Sequence, residues 1–147
     1  MPVISFATSK GGAGKTTSTI VLGTELAEGT EVIMIDADPA KRLTRWSSLA
    51  PLPPSVKVVT SQGERFIQDE ISDAQHEASF VLIDLEGSAS RLTSFAIAES
   101  DLVIIPSGEE QQDADAAIET LAEIEMEGRA RCRAISSAIL FARTSAA

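Results

Sequence analysis

The sequence predicts an α/β protein built on a doubly wound, mainly parallel sheet with helices on both faces. Short apolar segments alternate with helix-length amphipathic segments along the whole chain of 147 residues. Some of the apolar segments, such as residues 80–83, contain no polar side chain, which is typical of strands covered on both faces. Regular alternation of strands and helices favours parallel crossover connections, and the length fits one domain.

The elements follow in order from their apolar spacing. Strands are predicted at residues 3–7, 31–35, 56–60, 80–83, 102–105 and 134–141, the fifth closed by Pro106 and the last a core strand. Helices are predicted at residues 15–28, 62–77, 92–98 and 113–127. The inward positions expected in the last two long helices are Ile67, Ile71, Ala74, Ala114, Ala117, Ile118, Leu121 and Ile124.

Composition excludes several classes of protein. The net charge of −10 repels phosphate backbones on average, so DNA binding by this stretch would require a local basic patch or a partner. The single cysteine, Cys132, excludes an intrachain disulfide and four-thiolate clusters. No apolar run approaches the roughly 20 residues that span a bilayer, and no signal peptide is evident, so we expect a cytoplasmic protein without membrane attachment.

The most informative segment is residues 9–17, Ser-Lys-Gly-Gly-Ala-Gly-Lys-Thr-Thr, which we call the phosphate loop. It follows a predicted strand and opens a predicted helix, which is the context that a nucleotide-binding P-loop requires. Its glycines let backbone N–H groups converge on a phosphate, Lys15 carries the charge for the β- and γ-phosphates, and Thr16 offers a hydroxyl to Mg²⁺. Ser9 stands where the strict pattern has glycine. The expected cofactors are ATP and Mg²⁺.

The loop with its early lysine, Lys10, resembles the deviant Walker A motif of the ParA/MinD superfamily of P-loop ATPases. The resemblance implies that Lys10 reaches across an ATP-dependent homodimer to the phosphates of the partner subunit, and that Lys10 and Lys15 are catalytic. The nucleotide-binding residues that it implies are Gly11, Gly12, Ala13, Gly14, Lys15, Thr16, Thr17 and Arg143, the last beside the adenine.

Carboxylates follow two of the predicted strands, at Asp36, Asp38 and Asp84. In a parallel sheet the carboxyl ends of the strands share one edge, so these side chains are expected near the phosphate loop. By the same resemblance, Asp38 would position the attacking water, Asp36 would support the water shell of the metal, and Asp84 with Thr16 would hold Mg²⁺. The sequence departs from the superfamily after Asp84, where residues 85–88 read Leu-Glu-Gly-Ser instead of a Thr-Pro-Pro type of turn.

The resemblance implies a ParA-type partition ATPase that binds and slowly hydrolyses ATP with Mg²⁺ and drives plasmid or chromosome segregation. It would act with a centromere-binding partner of the ParB type, and non-specific DNA binding would lie outside this stretch. Superfamily members usually continue past the sixth strand, so residues 1–147 are expected to form a single P-loop ATPase domain without the C-terminal elements. The alternatives are a nucleotide-binding or dimerisation module without turnover, a MinD-like positioning ATPase, and an accessory protein of T-DNA transfer.

Overall fold

The computed structural model describes residues 1–141, so the predicted adenine-side residue Arg143 lies outside the described residues. Helices and strands alternate throughout this range. Their bounds are β1 (Val3–Phe6), α1 (Lys15–Leu26), β2 (Val32–Ala37), α2 (Arg42–Ser47), β3 (Val56–Thr60), α3 (Ile67–Glu77), β4 (Phe80–Leu85), α4 (Arg91–Glu99), β5 (Leu102–Ser107), α5 (Gln111–Ala130) and β6 (Ser136–Phe141).

The strands form one six-stranded sheet in the order β3-β2-β4-β1-β5-β6, and every pairing between neighbours is parallel. The predicted doubly wound α/β fold is therefore confirmed. β1 lies between β4 and β5, so the chain leaves β1 at the centre of the sheet, where the direction of winding reverses. Crevices at such reversal points are the usual ligand sites of open parallel sheets.

Register brings the predicted carboxylates to this crevice. Asp36 of β2 is aligned with Asp84 of β4, and Asp84 is also aligned with Phe6, the last residue of β1. The phosphate loop begins shortly after Phe6. Two carboxylates and the loop are thus placed side by side by strand pairing alone.

Two apolar clusters fill the two faces of the sheet. In β4, the side chains of Val81 and Ile83 pack with α3, α4 and α5, whereas Leu82 packs on the opposite face beneath α1 and α2. Helix α1 approaches the sheet closely at Gly23, where an added Cβ would lie 2.2 Å from Cε of Met34. Glycine at this position allows α1, and with it the phosphate loop, to sit tightly on the sheet.

Several predicted boundaries are corrected. The helix predicted at residues 62–77 begins only at Ile67, because Gly63 takes a φ of 110° and the preceding segment turns. Helix α2 was not expected from the sequence. Pro106 does not close β5 but lies within it: β1 pairs with β5 only as far as Ile104, so no strand on that side requires an N–H from the proline.

The orientation of α5 also differs from the prediction. Ala117 and Ile124 are buried as expected, but Ala114, Ile118 and Leu121 face solvent, Ile118 with 65% of its surface exposed. The buried stripe instead contains Asp113, Ala116, Ala117, Thr120, Ile124 and Gly128. Because Asp113 and Thr120 on the buried stripe are polar, the spacing of apolar residues alone did not identify the buried face of α5.

The last strand, β6, lies at the edge of the sheet and is exposed along its whole length, which corrects its expected place in the core. Phe141 is 66% exposed, and Ile139 and Leu140 are each more than 40% exposed. Among the described residues no helix is both long enough and apolar enough to span a membrane.

Candidate nucleotide and magnesium site

The phosphate loop curls around the N-terminus of α1. Gly12 and Gly14 adopt left-handed backbone conformations with φ values of 72° and 94°, which side chains with a Cβ rarely tolerate. Gly14 is the residue immediately before α1, and its carbonyl accepts the N–H of Ser18 at 2.9 Å. The first N–H groups of the helix are therefore directed into the loop, where they favour an anion.

Lys15 is the first residue of α1 and is buried, with 7% of its surface exposed. Its Nζ lies 3.5 Å from the carbonyl oxygen of Lys10, at the opposite end of the loop. Burial lowers the pKa of Lys15, and the negative charges of Asp84 and Asp38 act in the opposite direction. The ammonium group is thus held inside the loop with little water around it, as a phosphate ligand requires.

Asp84 is completely buried at the end of β4 and has one carboxylate oxygen without a hydrogen bond. Its other oxygen accepts the hydroxyl of Thr16 at 2.6 Å. Burial raises the pKa of Asp84 to about 6, with the hydrogen bond from Thr16 acting against that rise. An orphaned carboxylate oxygen beside a threonine hydroxyl fits Mg²⁺, whose preferred ligands are such oxygens and water.

Asp36 and Asp38 have different surroundings. Asp36 is buried, and its carboxylate accepts the N–H of Asp38 and both the N–H and the hydroxyl of Thr44, the latter two at 2.8 and 2.7 Å. It therefore fixes the turn from β2 into α2. Asp38 is partly exposed and accepts the N–H of Ala40 at 2.8 Å. The predicted contribution of Asp36 to a metal site stays a prediction.

A cavity of about 250 Å³ gathers most of the predicted nucleotide ligands. It is lined by Gly12, Ala13, Gly14, Lys15, Thr16, Thr17, Asp38 and Arg42. A second, largely apolar cavity of about 730 Å³ adjoins the loop at Gly12, Gly14 and Thr17 and extends between α1 and the β5–β6 side of the sheet. The structure thus provides a polar cradle that opens toward an apolar surface.

Lys10 is directed away from this cradle. Its Nζ contacts Oδ1 of Asp113 at 2.7 Å and Oε2 of Glu110 at 3.4 Å, both at the start of α5. The hydrogen bond to Asp113 is the main cause that raises the pKa of Lys10. Asp113 also accepts the N–H of Glu110 at 3.0 Å, so one carboxylate both caps α5 and holds the lysine.

Sequence reasoning did not identify Asp113, Thr44 or Gly87 as parts of this region. The capping pattern of Glu110 and Asp113 was available in the sequence, but nothing in it indicated that Lys10, about one hundred positions earlier, would be their partner. Gly87 lies against the loop: an added Cβ there would be 3.3 Å from Cα of Gly11 and 3.4 Å from Nζ of Lys15. The only hint of Gly87 in the sequence was that residues 85–88 differ from the turn usual in the superfamily.

Comparison with known protein sequences identifies one matching family and several relatives. The family described as VirC1 protein matches the chain over residues 1–147. The chain is 40% identical over 148 residues to Protein ParA of Rhizobium radiobacter, covering all of this chain and 67% of that protein. It is 33% identical over 126 residues to Protein virC1 of the same organism, covering 82% of this chain and 54% of that protein, so it spans about half the length of this relative.

Solved structures share the fold at low sequence identity. McdA of Cyanothece in complex with ATP superimposes with a TM-score of 0.81 at 17% identity, over 95% of this chain and 69% of McdA. A putative plasmid partition protein of Borrelia burgdorferi bound to AMPPNP gives 0.74 at 18% identity, over 94% and 74% of the two chains. The cobyrinic acid a,c-diamide synthase of Mycobacterium smegmatis with ADP and magnesium gives 0.75 at 18%, over 94% and 71%.

Proposed function

The chain belongs to the VirC1 family, within the ParA/MinD superfamily, and on that premise we propose that it binds ATP with Mg²⁺ and hydrolyses it slowly. The observation that carries this proposal is the arrangement of Asp84. A fully buried carboxylate keeps one oxygen without a partner while its other oxygen holds the Thr16 hydroxyl, next to the buried ammonium of Lys15. A structural aspartate would have both oxygens satisfied, as Asp36 does.

Each residue of the cradle has a defined task in this proposal. The N–H groups at the start of α1 and the ammonium of Lys15 bind the phosphates and favour the charge that develops on them. Mg²⁺, when bound, would neutralise phosphate charge, and Thr16 and Asp84 would hold it. Asp38 lines the cradle and has a carboxylate oxygen with which to orient a water molecule for attack.

Lys10 must change partners for the proposed dimer to form. In the present structure it is bound to Asp113 of its own chain. We propose that ATP binding gives Lys10 a stronger anionic partner, the phosphates bound by a second subunit, and that the contact with Asp113 is exchanged for it. Hydrolysis and dimerisation would then depend on Lys10, whereas binding of ATP to one subunit would not.

The biological role proposed is partition of a plasmid or chromosome, with a centromere-binding protein of the ParB type as the stimulating partner. Support comes from the 40% identity to a Protein ParA and from the fold shared with a plasmid partition protein. The net charge of −10 argues against a general DNA-binding surface in this stretch. We therefore propose that contact with DNA is made through a partner or through other parts of the partition complex.

The deciding experiment compares the unmodified protein with Lys10→Ala and Lys57→Ala, measuring ATP hydrolysis and mass in solution with and without ATP and Mg²⁺. Lys57 is an exposed lysine of the edge strand β3 and is paired with Glu77, so it controls for loss of a charge. We expect Lys10→Ala to bind ATP but to lose dimerisation and hydrolysis, while Lys57→Ala behaves as the unmodified protein. Undiminished hydrolysis by Lys10→Ala would refute the assignment.

A nucleotide-binding module without turnover is the second candidate, and the contact of Lys10 with Asp113 is the observation that favours it. A lysine kept permanently on its own chain could not complete a partner's site. Binding of ATP without hydrolysis or dimerisation by the unmodified protein, with or without a stimulating partner, would support this candidate instead.

A further inference from the structure

Residues 38–44, which lead from β2 into α2, are tied at both ends to one buried carboxylate. Asp36 accepts the N–H of Asp38 at 3.2 Å, and it accepts the N–H and the hydroxyl of Thr44 at 2.8 and 2.7 Å. Leu43, the neighbour of Thr44, is completely buried. Hydrogen bonds to a buried charge are strong, so the backbone of this segment is held in a defined position relative to the sheet.

Two charged side chains of this segment face the polar cradle. Asp38 and Arg42 line the same cavity of about 250 Å³ as the phosphate loop and Lys15. Lys41, directly before Arg42, has a left-handed backbone with a φ of 51°, and its N–H donates to the carbonyl of Asp38 at 2.9 Å. Strained backbone of this kind occurs most often at ligand sites.

The guanidinium of Arg42 has no partner in its own chain. Within described residues 1–141 it forms no ion pair and donates no hydrogen bond, whereas Arg45, on the same helix, donates to the carbonyl of Ala40 at 2.7 Å. The charge of Arg42 nevertheless reaches the cradle: burial lowers the pKa of Lys15, and the positive charge of Arg42 lowers it further. Two cations that face one cavity repel each other, and an anion bound between them would remove that repulsion.

We propose that Arg42 binds a phosphate group of the nucleotide held by its own chain, as a second cationic ligand beside Lys15. This inference rests on the proposed function and adds a ligand from outside the phosphate loop. A guanidinium presents a planar set of N–H donors that matches phosphate oxygens. Because Asp36 ties down the segment that carries both Asp38 and Arg42, one set of hydrogen bonds would position both side chains around the nucleotide.

The first test measures dissociation constants for AMPPNP with Mg²⁺ in Arg42→Ala, Arg42→Lys and the control Arg65→Ala. Arg65 is also exposed, has no ion pair or hydrogen bond within residues 1–141, and does not line the cradle. We expect Arg42→Ala to weaken binding about tenfold, Arg42→Lys to restore part of the loss, and Arg65→Ala to stay within about twofold of the unmodified protein. Equal affinities of Arg42→Ala and Arg65→Ala would overturn the proposal.

Salt separates a direct charge contact from a change in the fold of the segment. The screening length falls from about 10 Å at about 0.1 M NaCl to about 3 Å at about 1 M. We therefore expect the difference in affinity between the unmodified protein and Arg42→Ala to shrink as salt is raised. A difference that does not depend on salt would indicate a structural role for Arg42 and would overturn its role as a phosphate ligand.

The last test uses the unmodified protein and therefore does not depend on the folding of a variant. Modification of arginines by phenylglyoxal is followed by mass spectrometry with and without AMPPNP and Mg²⁺. We expect the nucleotide to slow modification of Arg42 and to leave the rate at Arg65 unchanged. An unprotected Arg42 in protein that has bound AMPPNP would overturn this inference alone, whereas failure to bind AMPPNP at all would overturn the proposed function from which it follows.

Discussion

The two ends of the phosphate loop each carry a lysine, and the two lysines are held in opposite ways. Lys15, at the helix end, is buried among groups of the cradle, and burial lowers its pKa. Lys10, at the strand end, is partly exposed and bound to two carboxylates of α5, and its pKa is raised. Lys15 therefore lies in a desolvated site that suits a phosphate, whereas Lys10 is already paired with carboxylates of its own chain.

This difference separates binding from assembly. The Lys15 end depends on contacts that are formed within the sheet and α1, and it needs only a ligand. In the proposed function, the Lys10 end depends on exchange of one anion for another, because Lys10 would have to leave Asp113 before it could contact a second subunit. Variants at the two ends should therefore affect different measurements.

The largest effect is expected for Lys15→Ala, which removes the buried cation of the cradle. We expect nucleotide affinity to fall at least about 100-fold, because a charge-assisted contact to phosphate is lost in a site shielded from water. Titration with a fluorescent ATP analogue measures this, with Lys57→Ala as the control. Affinity within a few-fold of the unmodified protein would show that the loop does not bind phosphate through Lys15.

The next effect concerns the free energy of unfolding and involves Asp84, which lies at the end of β4 beside Thr16. Asp84→Asn removes a buried charge with a raised pKa while leaving an oxygen that can accept from Thr16. In the absence of nucleotide we expect the variant to be more stable than the unmodified protein at about pH 8, by on the order of 1–3 kcal/mol. It should at the same time lose the dependence of nucleotide binding on Mg²⁺.

The pH dependence of that difference has a definite sign. The folded protein keeps a proton on Asp84 up to about pH 6, whereas the unfolded chain releases it near pH 4. The stability that comes from the neutral carboxyl is therefore complete below about pH 4 and is lost as the pH rises through about 6. Thermal melts should show the advantage of Asp84→Asn vanishing toward about pH 4, and Asp73→Asn, at an exposed aspartate, should show no such trend. A difference in stability between Asp84→Asn and the unmodified protein that is constant with pH would contradict a raised pKa of Asp84.

A smaller effect is expected at the Lys10 end from Asp113→Asn. This change removes the carboxylate that binds Lys10 and weakens the acceptor that caps the N–H of Glu110. The weaker acceptor should lower the unfolding free energy by less than about 1 kcal/mol, and the freed Lys10 should react faster with an amine-labelling reagent. A labelling rate equal to that of the unmodified protein would show that Asp113 does not restrain Lys10.

The smallest effect should come from Glu110→Gln. Its carboxylate lies 3.4 Å from Lys10 and is 73% exposed, so water screens the contact. We expect a thermal midpoint and a Lys10 labelling rate close to those of the unmodified protein. A change as large as that of Asp113→Asn would mean that the two carboxylates act as a unit and not as a strong and a weak partner.

Sequence alone predicted the parallel sheet because buried strands such as residues 80–83 and the glycine-rich turn are local signals. It failed where the signal depends on the neighbours. Helix α2 is only six residues long and is anchored by the hydrogen bonds between Thr44 and Asp36, which no periodicity reveals. Ile118 and Leu121 of α5 were predicted as core because they are bulky and apolar, whereas the buried stripe includes the polar Asp113 and Thr120.

The sequence predicted which residues would lie together at the candidate site but not the hydrogen bonds and ion pairs that they form. The loop, Asp38 and Asp84 are close together, as the common edge of a parallel sheet requires. The sequence could not reveal that Asp36 has both oxygens engaged or that Lys10 is bound to α5, because those contacts join distant segments. They depend on side-chain positions that only the folded chain defines.

The central position of β1 has a consequence for the order in which the molecule is built. Val3 pairs with Val81 and Ile4 with Leu102, so both neighbours of the first strand are made long after it. During synthesis the phosphate loop therefore emerges well before the strands that hold it, and long-range parallel pairing of this kind is slow. If the chain binds nucleotide as proposed, competence to bind it should therefore appear only once β5 has joined the sheet.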